Sequence, residues 1–279
     1  MAVSNLIVGT DKADVIDLGA CLGLPLAVVN PFLAQLDLNT DGFVTAAELF
    51  TQSVTVNGLG GHDLIYGTDS INGDLINAGG GQDTVYGGFG GDTVNGQGGA
   101  DTIYGDEGND RLNGQGGGDT IYGGSGNDRV EGGDGNDVMY GDTVDCGIGL
   151  GGPLFLTTGV GKDKFVFTSA DASDTDHIMD FNSIQDQIDL TAIAGLDASD
   201  IGTTFGKSVV VIAYGFQGIG PVTSFIASQE RTLLVDTDGT AANGVDYDLV
   251  INFTLENVLG IFTPTTISAA PSPTADILI

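Results

Sequence analysis

The chain has 279 residues, 47 of them glycine, and 38 acidic residues against 7 lysines and arginines give it a formal net charge of -31. This charge repels polyphosphate and anionic lipid, which excludes nucleic-acid binding and electrostatic docking on an anionic membrane. The acidic residues are 33 Asp and 5 Glu, so charge alone does not explain them, and a hydrophobic content of 41% is too high for an acidic disordered chain.

Residues 1–57 are predicted to form an N-terminal cap. Met1–Thr10 has neither the basic start nor the apolar run of a secretory signal. The best apolar stretch, Cys21–Val29, is far shorter than the roughly 20 residues of a membrane-spanning helix, so we predict no transmembrane segment. Cys21 and Cys146 permit one disulfide without requiring it, and whether they pair stays open.

A twelve-residue loop in this cap has the ligand spacing of an EF-hand. Gly42 supplies the sharp turn, and Glu48 can bind an ion through both carboxylate oxygens. An Asp-rich turn without an ion is the alternative, and because EF-hands usually occur in pairs, a purely structural role is also open. Positions 1, 3, 5, 7, 9 and 12 are Asp37, Asn39, Asp41, Phe43, Thr45 and Glu48.

Residues 58–140 repeat every nine residues, in units such as GGFGGDTVN, GQGGADTIY and GDEGNDRLN. The eighth position of each unit is apolar, and the sixth is always Asp. The glycine-rich part of a unit can take left-handed turn conformations, and the last three residues form a short strand whose middle side chain faces inward. The sixth-position residues, all candidate metal ligands, are Asp63, Asp74, Asp83, Asp92, Asp101, Asp110, Asp119, Asp128 and Asp137.

Such units predict a coil of parallel strands, because one inward side chain cannot stabilise a unit alone and stacked neighbours must share the core. The sixth-position Asp residues then align in columns, and only a cation that bridges successive turns makes such a stack stable.

The ninth position of the units alternates between Tyr and Asn or Glu, so the structural period is 18 residues with two strands in each coil. The tyrosines should therefore form a ladder on one sheet with a spacing of about 4.8 Å. The ladder either stiffens the sheet by stacking or offers a contact surface to another copy, a surface glycan or another domain. Its members are Tyr66, Tyr86, Tyr104, Tyr122 and Tyr140.

The units resemble the GGxGxDxUx nonapeptide of the RTX, or haemolysin-type, calcium-binding proteins. This resemblance implies a parallel β-roll that holds Ca²⁺ between turns through the sixth-position Asp and backbone carbonyls, with about seven ions in the roll and one in the EF-hand. Thr68 and Asn72 depart from the pattern, which places the site at Asp74 in question. Gly9–Asp17 resembles a degenerate unit, so the EF-hand looks inserted into the start of the roll.

After the repeats, residues 141–160 are predicted to be a linker or loop and 161–279 a C-terminal β domain. The runs FVF, IMDF and DQIDL resemble the β domain that follows the roll in serralysin-type proteases. The segment Asp236–Asp248 is either one more cation loop or a hydrated hairpin turn. The tail Asp276–Ile279 resembles the acidic and then apolar end of proteins exported by type I secretion.

The predicted fold is mostly β: a parallel β-roll solenoid with a small helical EF-hand insert and a C-terminal β-rich domain. No HExxH, GxSxG or phosphate-binding motif is present in the sequence, so we expect a protein that is not an enzyme. The expected function is that of a secreted calcium-binding protein that folds on Ca²⁺ outside the cell and acts as a surface or matrix component, including by self-assembly. A membrane-active toxin-like factor and a carrier module for a separate enzyme are the alternatives.

Overall fold

A computed structural model describes residues 6–18, 53–142, 161–169, 175–181, 185–193, 201–202, 209–213, 229–235, 249–255 and 277–278. The predicted EF-hand loop, both cysteines, the linker from 143 onward and the Asp236–Asp248 segment lie outside these residues. The regular elements of the described part are all strands, and no helix in it is long and apolar enough to cross a membrane.

The described part contains twenty strands, most of them three to seven residues long. They are β1 (Leu6–Val8), β2 (Val15–Asp17), β3 (Thr55–Asn57), β4 (Leu64–Tyr66), β5 (Leu75–Gly80), β6 (Thr84–Tyr86), β7 (Thr93–Gly98), β8 (Thr102–Tyr104), β9 (Arg111–Gly116), β10 (Thr120–Tyr122), β11 (Arg129–Asp134), β12 (Val138–Tyr140), β13 (Lys164–Val166), β14 (Thr175–Phe181), β15 (Gln187–Asp189), β16 (Ile201–Gly202), β17 (Val209–Ala213), β18 (Gln229–Val235), β19 (Leu249–Leu255) and β20 (Ile277–Leu278).

From β1 to β15 the strands go alternately to two sheets. One sheet has nine strands in the order β1-β3-β5-β7-β9-β11-β13-β15-β20, and the other has eleven in the order β16-β17-β18-β19-β14-β12-β10-β8-β6-β4-β2. Neighbouring strands of the repeat are parallel, and residues one coil apart pair, as Ile103 does with Ile121. This confirms the predicted β-roll and its 18-residue period.

The core of the roll is a double file of side chains from the eighth position of each unit. Each three-residue strand points only its middle residue inward, so the file grows by one apolar side chain per unit. Phe165 and Phe181 continue it beyond the repeats, with ring centroids 6.2 Å apart. The fully buried eighth-position side chains are Ile65, Ile76, Val85, Val94, Ile103, Leu112, Ile121, Val130 and Met139.

The roll extends beyond the repeats at both ends. In the degenerate N-terminal unit, Ile16 is buried and pairs in parallel with Ile65, so β2 adds to the same sheet as the strands of the repeats. On the C-terminal side, β13 pairs in parallel with β11, β14 with β12 and β15 with β13. The boundary predicted at residue 161 is therefore not a break in either sheet, because GKDKF repeats the Asp and apolar spacing of a unit.

Beyond these coils the architecture changes. Strands β17, β18 and β19 are antiparallel neighbours, and β19 joins the roll by pairing in parallel with β14. The tail strand β20 adds to the other sheet, where Ile277 pairs with Ile188.

The outer faces of the two sheets carry different ladders. On one face the five tyrosines stack with ring centroids 4.7 to 4.8 Å apart and interplanar angles of 3 to 13°, as the sequence predicts. On the other face, Asn95 Nδ2 donates to Asn77 Oδ1 at 2.9 Å, and Asn77 Nδ2 donates to Asn57 Oδ1 at 2.8 Å.

Candidate metal sites

The sixth-position Asp residues form two columns in the turns between the sheets. In each column the backbone N–H of one Asp donates to Oδ1 of the Asp one coil further along the chain, at 2.6 to 3.1 Å. The first column contains Asp14, Asp63, Asp83, Asp101, Asp119, Asp137 and Asp176. The second column contains Asp74, Asp92, Asp110, Asp128, Asp163 and Asp186.

The second carboxylate oxygen, Oδ2, has no hydrogen-bond partner in eight of these residues, which are only 1 to 3% exposed. A carboxylate that is both buried and unpaired carries a large desolvation cost, which a bound cation removes. These eight are Asp63, Asp83, Asp92, Asp101, Asp110, Asp119, Asp128 and Asp163.

Burial raises the pKa of all eight carboxyl groups above the usual value. Loss of water, with a smaller contribution from the neighbouring carboxylates, raises the pKa of Asp92 to about 8 and that of Asp110 to about 9, against the lowering effect of the backbone N–H they accept. In the first column, burial raises the pKa of Asp119 to about 7 and that of Asp101 to about 6. Without a cation, several of these groups therefore hold a proton near neutral pH.

Glycine at the first position of a unit leaves room beside Oδ2 in the repeat units with an unpartnered Oδ2, except in that of Asp83, whose first position is Ala78. A Cβ on Gly96 would lie 2.5 Å from Asp101 Oδ2 and 2.9 Å from the carbonyl oxygen of Gly114, one coil further along. A Cβ on Gly87 would lie 2.7 Å from Asp92 Oδ2 and 2.7 Å from the carbonyl oxygen of Gly105. These turns thus gather a carboxylate oxygen and a backbone carbonyl around a space that a side chain on the glycine would fill.

This donor set fits calcium. Within the part of the chain that the structure describes, no three His, Cys, Asp or Glu side chains converge as a metal cluster. A cation in the turns must therefore take part of its ligands from backbone carbonyls. Ca²⁺ accepts six to eight oxygen ligands, including carbonyls and water, in flexible geometry. The residues that would hold it are the eight with an unpartnered Oδ2, together with the carbonyl oxygens of the first-position residues.

Asp74 and Asp14 differ from the rest, because a threonine occupies Oδ2. Asp74 Oδ2 accepts the Thr68 N–H at 2.6 Å and the Thr68 hydroxyl at 2.8 Å, while Oδ1 accepts the Val54 N–H at 2.9 Å. Asp14 Oδ2 accepts the Thr10 N–H at 2.6 Å and its hydroxyl at 2.9 Å. Both oxygens of Asp74, which the sequence places among the ligands, are thus engaged by hydrogen-bond donors, as the departures at Thr68 and Asn72 suggest.

Sequence reasoning missed the members of the columns that follow the repeats. Asp163, Asp176 and Asp186 each precede a buried apolar residue by two positions, which is the spacing of the sixth and eighth positions. Only Asp163 also follows glycines at the second and fourth positions, Gly159 and Gly161. A further asparagine ladder, at the fifth position of the units, was also missed. In it, the side-chain oxygen of Asn109 accepts the Asn127 N–H at 2.9 Å. Repeated Asn before Asp is the signal that could have revealed it.

A match to a protein family agrees with this geometry. The family of the RTX calcium-binding nonapeptide repeat (4 copies) matches residues 57–94, 86–121 and 113–144. The solution structure of the AlgE6R3 subunit of the mannuronan C5-epimerase from Azotobacter vinelandii is similar at 20% identity and a TM-score of 0.26, over 69% of this chain and 90% of that chain. No curated protein sequence matches the chain significantly. The chain therefore carries RTX repeats, and calcium is the ion of its roll.

Proposed function

We propose that this is a secreted, non-enzymatic calcium-binding protein that folds when its roll binds Ca²⁺ outside the cell and serves there as a structural component of a surface or matrix. The observation that supports this most is the pair of Asp columns, with eight buried carboxylate oxygens that have no hydrogen-bond donor. In these eight residues Oδ1 accepts a backbone N–H, which leaves Oδ2 for a cation and supports a binding role for the columns.

Calcium binding and folding are one process in this proposal. Without Ca²⁺ the aligned carboxylates repel one another or must take up protons. Either effect lowers the stability of the stacked coils. Extracellular Ca²⁺ is millimolar, and extracellular sites commonly have dissociation constants of about 10⁻⁴ to 10⁻³ M, so the binding energy becomes folding energy only after export. Proteins with RTX repeats are typically secreted, which supports this location.

Circular dichroism of the full chain tests the coupling. Strand signal should rise cooperatively as Ca²⁺ is added and fall again with chelator, whereas the same concentration of Mg²⁺ should restore little of it, because Mg²⁺ demands near-octahedral geometry and loses water reluctantly. A spectrum that is equally strand-rich in chelator and in Ca²⁺ would contradict the proposal.

The EF-hand loop and the tail extend the proposal to residues outside the repeats. The loop at 37–48 is proposed to hold one further ion, and Glu48→Gln should then reduce the number of bound Ca²⁺ ions by one. Export is proposed to use the C-terminal tail. In a host with a type I exporter, the chain that lacks residues 276–279 should stay in the cells, and its appearance in the medium would refute that part.

A structural role is supported by the tyrosine ladder. Its rings lie face to face at 4.7 to 4.8 Å, so the ring faces are covered by one another and the ladder offers mainly ring edges. Sugars stack on ring faces, whereas a straight row of ring edges suits a second flat sheet. We therefore favour other copies of the chain over glycans as the partner of this face.

Light scattering of the Ca²⁺-loaded protein tests this assembly. Tyr104→Ser interrupts the ladder at its centre, and Asn113→Ser changes the ninth position of a unit on the opposite sheet, so it is the matched control. Wild type and Asn113→Ser should form larger particles in Ca²⁺, and Tyr104→Ser should not. Monomeric wild-type protein at every Ca²⁺ concentration would overturn the self-assembly.

A further inference from the structure

The outer face of the nine-stranded sheet carries a row of basic side chains where the repeats end. Arg111 pairs with Arg129 on the neighbouring strand, and Arg129 pairs with Lys164 on the next. Each of the three directly precedes a fully buried apolar residue, so its own side chain points outward. These three residues, the basic row, follow the axis of the roll with one positive charge per coil, a spacing of about 4.8 Å.

The basic row is an exception in the charge distribution of the chain. The chain has 7 lysines and arginines against 38 acidic residues, yet three of the seven stand side by side. Like charges directly opposite each other on neighbouring strands destabilise a sheet. Basic residues dispersed over the chain would offset its acidic charge without that cost, so neutralisation alone does not explain the alignment.

The side chains of the basic row are accessible. Those of Arg129 and Lys164 are 38% and 39% exposed, and Arg111 is exposed as well. Arg129 forms an ion pair with Glu131 at 2.8 Å and Lys164 one with Asp189 at 3.3 Å, whereas the ion pairs of the described residues do not include Arg111. Exposed ion pairs stabilise a protein little, so Arg129 and Lys164 remain available to an anionic partner beside Arg111.

The acidic residues of the roll do not cancel this local positive charge. Asp110 and Asp128, which directly precede Arg111 and Arg129 in the sequence, are only 1% and 2% exposed and face calcium in the loaded roll. Acidic residues further away are screened, because the Debye length is about 8 Å at physiological ionic strength. A chain whose total charge is negative therefore presents a positive field over this part of one face.

The spacing of the row indicates which kind of polyanion fits it. Phosphates recur about every 3.4 Å along a strand of duplex nucleic acid, and side chains on one face of an extended peptide recur about every 6.8 Å, so neither matches the coils. In an extended chain of pyranose sugars, one ring covers roughly the rise of one coil. A polysaccharide with a carboxylate on each sugar can therefore follow the row in register. Arginine suits such a ligand, because its guanidinium can bind both oxygens of a carboxylate.

We propose that the basic row is a docking surface for an acidic polysaccharide that carries a carboxylate on each sugar and lies along the axis of the roll. The row is on the sheet opposite the tyrosine ladder, so this binding and the assembly of copies use different faces. The inference goes beyond the proposed function, which assigns no ligand except calcium and other copies of the chain. It rests on that function only for a folded, calcium-loaded roll.

Calorimetric titration of the Ca²⁺-loaded chain with short oligogalacturonates tests the surface. Arg111→Gln should weaken binding about tenfold, the loss expected for one charge-assisted hydrogen bond, and added NaCl should weaken binding to wild type. Lys12→Gln removes the same charge from an exposed residue outside the row and should bind as wild type does. Equal affinity of Arg111→Gln and wild type would mean that calcium or another surface holds the sugar, and would overturn the proposal.

A longer row should bind more tightly. Thr93 pairs with Arg111 from the preceding coil, so Thr93→Lys adds one charge in register and should strengthen binding several-fold. Thr102→Lys makes the same change at the seventh position of the next unit, on the opposite sheet, and should leave affinity unchanged. A gain of affinity requires a folded protein, so this pair decides the question even if Arg111→Gln fails to fold. Unchanged affinity in Thr93→Lys, or an equal gain in Thr102→Lys, would overturn the proposal.

A last comparison separates the class of partner and the two proposals. Poly-glutamate carries the same carboxylates on a peptide, and tighter binding of poly-glutamate than of an oligogalacturonate of equal charge would overturn the assignment to a polysaccharide. A wild-type chain that folds on Ca²⁺ but binds no oligogalacturonate would overturn the docking surface and leave the proposed function standing. A chain that stays unfolded in Ca²⁺ would overturn both.

Discussion

Asp110 and Asp74 occupy equivalent positions of the second column, yet loss of the carboxylate charge should have different effects at the two. At Asp110 it should reduce the calcium dependence of stability, and at Asp74 it should reduce stability at every Ca²⁺ concentration. Asp110 uses Oδ1 for the Asp92 N–H, and its Oδ2 has no donor. Asp110→Asn keeps an oxygen for that N–H and replaces the oxygen that faces the ion by an amide. We therefore expect it to lose one calcium ion while the turn stays intact.

The loss can be expressed as a change in how stability depends on calcium. An ion with a dissociation constant of about 1 mM adds about 1.2 kcal/mol to the free energy of unfolding between about 2 and about 20 mM Ca²⁺. Asp110→Asn should reduce the calcium dependence of stability by that amount. Asp74 instead receives three donors, from Thr68 and Val54. Asp74→Asn should cost about 1 to 3 kcal/mol at both concentrations, because an amide oxygen cannot serve all three donors.

Urea unfolding followed by circular dichroism at the two Ca²⁺ concentrations measures both effects. The difference in the free energy of unfolding between high and low Ca²⁺ should be smaller for Asp110→Asn than for wild type, and for Asp74→Asn it should equal that of wild type. If Asp74→Asn weakened the calcium dependence as much as Asp110→Asn, Oδ2 of Asp74 would be an ion ligand and the distinction between hydrogen-bonded and ion-bound turns would be wrong.

Three further predictions concern protons, glycine and threonine. The buried carboxyl groups, such as those of Asp92 with a pKa of about 8 and Asp110 with a pKa of about 9, bind protons more tightly when folded than the unfolded value near 3.9 allows. The calcium-free chain should therefore gain strand signal as the pH falls from about 9 to about 5, while the Ca²⁺ needed for folding rises, and a calcium-free chain that is better folded at the higher pH would contradict this. Gly96→Ala should weaken Ca²⁺ binding in titrations, since its Cβ would lie 2.5 Å from a ligand oxygen, whereas Gly98→Ala, with nothing within 4 Å of its Cβ, should bind like wild type. Thr68→Val should cost about 1 kcal/mol in urea unfolding at any Ca²⁺ concentration, and a cost that vanished at high Ca²⁺ would count against its role as a hydrogen-bond donor.

The roll could be predicted from sequence because the nine residues of each unit determine the turn and the strand that this unit forms. Asp at the sixth position and an apolar residue at the eighth fix the turn and the inward side chain, and the alternation of Tyr and Asn at the ninth fixes the coil length. The prediction ended too early, at Tyr140, because it relied on glycine-rich turns. Lys162–Phe165 keeps the Asp and apolar spacing but reaches its turn from a distant part of the chain, and only the three-dimensional pairing with β11 reveals this.

The occupancy of Oδ2 was harder to foresee. Thr68 marks Asp74 as unusual in the sequence, because Gly67 and Thr68 are inserted between two units. The sequence does not show, however, whether the Thr68 hydroxyl points to Asp74 or to solvent. The distance of 2.8 Å to the carboxylate is a property of the folded turn. Asp142 likewise reads as an ordinary turn residue in the sequence, whereas in the fold its Oδ1 accepts the N–H of Gly161 at 3.2 Å.

The hydrogen bonds of the two Asp columns all run in one direction along the chain. Each Asp gives its N–H to the carboxylate of the following coil. The backbone ladder beside it runs the other way, since the N–H of Arg111 donates to the Asp92 carbonyl of the preceding coil. Within the columns alone, loss of the preceding coil leaves a carboxylate oxygen, which water solvates readily, whereas loss of the following coil leaves the N–H of an Asp without its acceptor. The Asp columns therefore have a polarity that the backbone ladder lacks, and their last N–H groups need an acceptor at the rear end of the roll. Strands β15, β19 and β20 lie at that rear end.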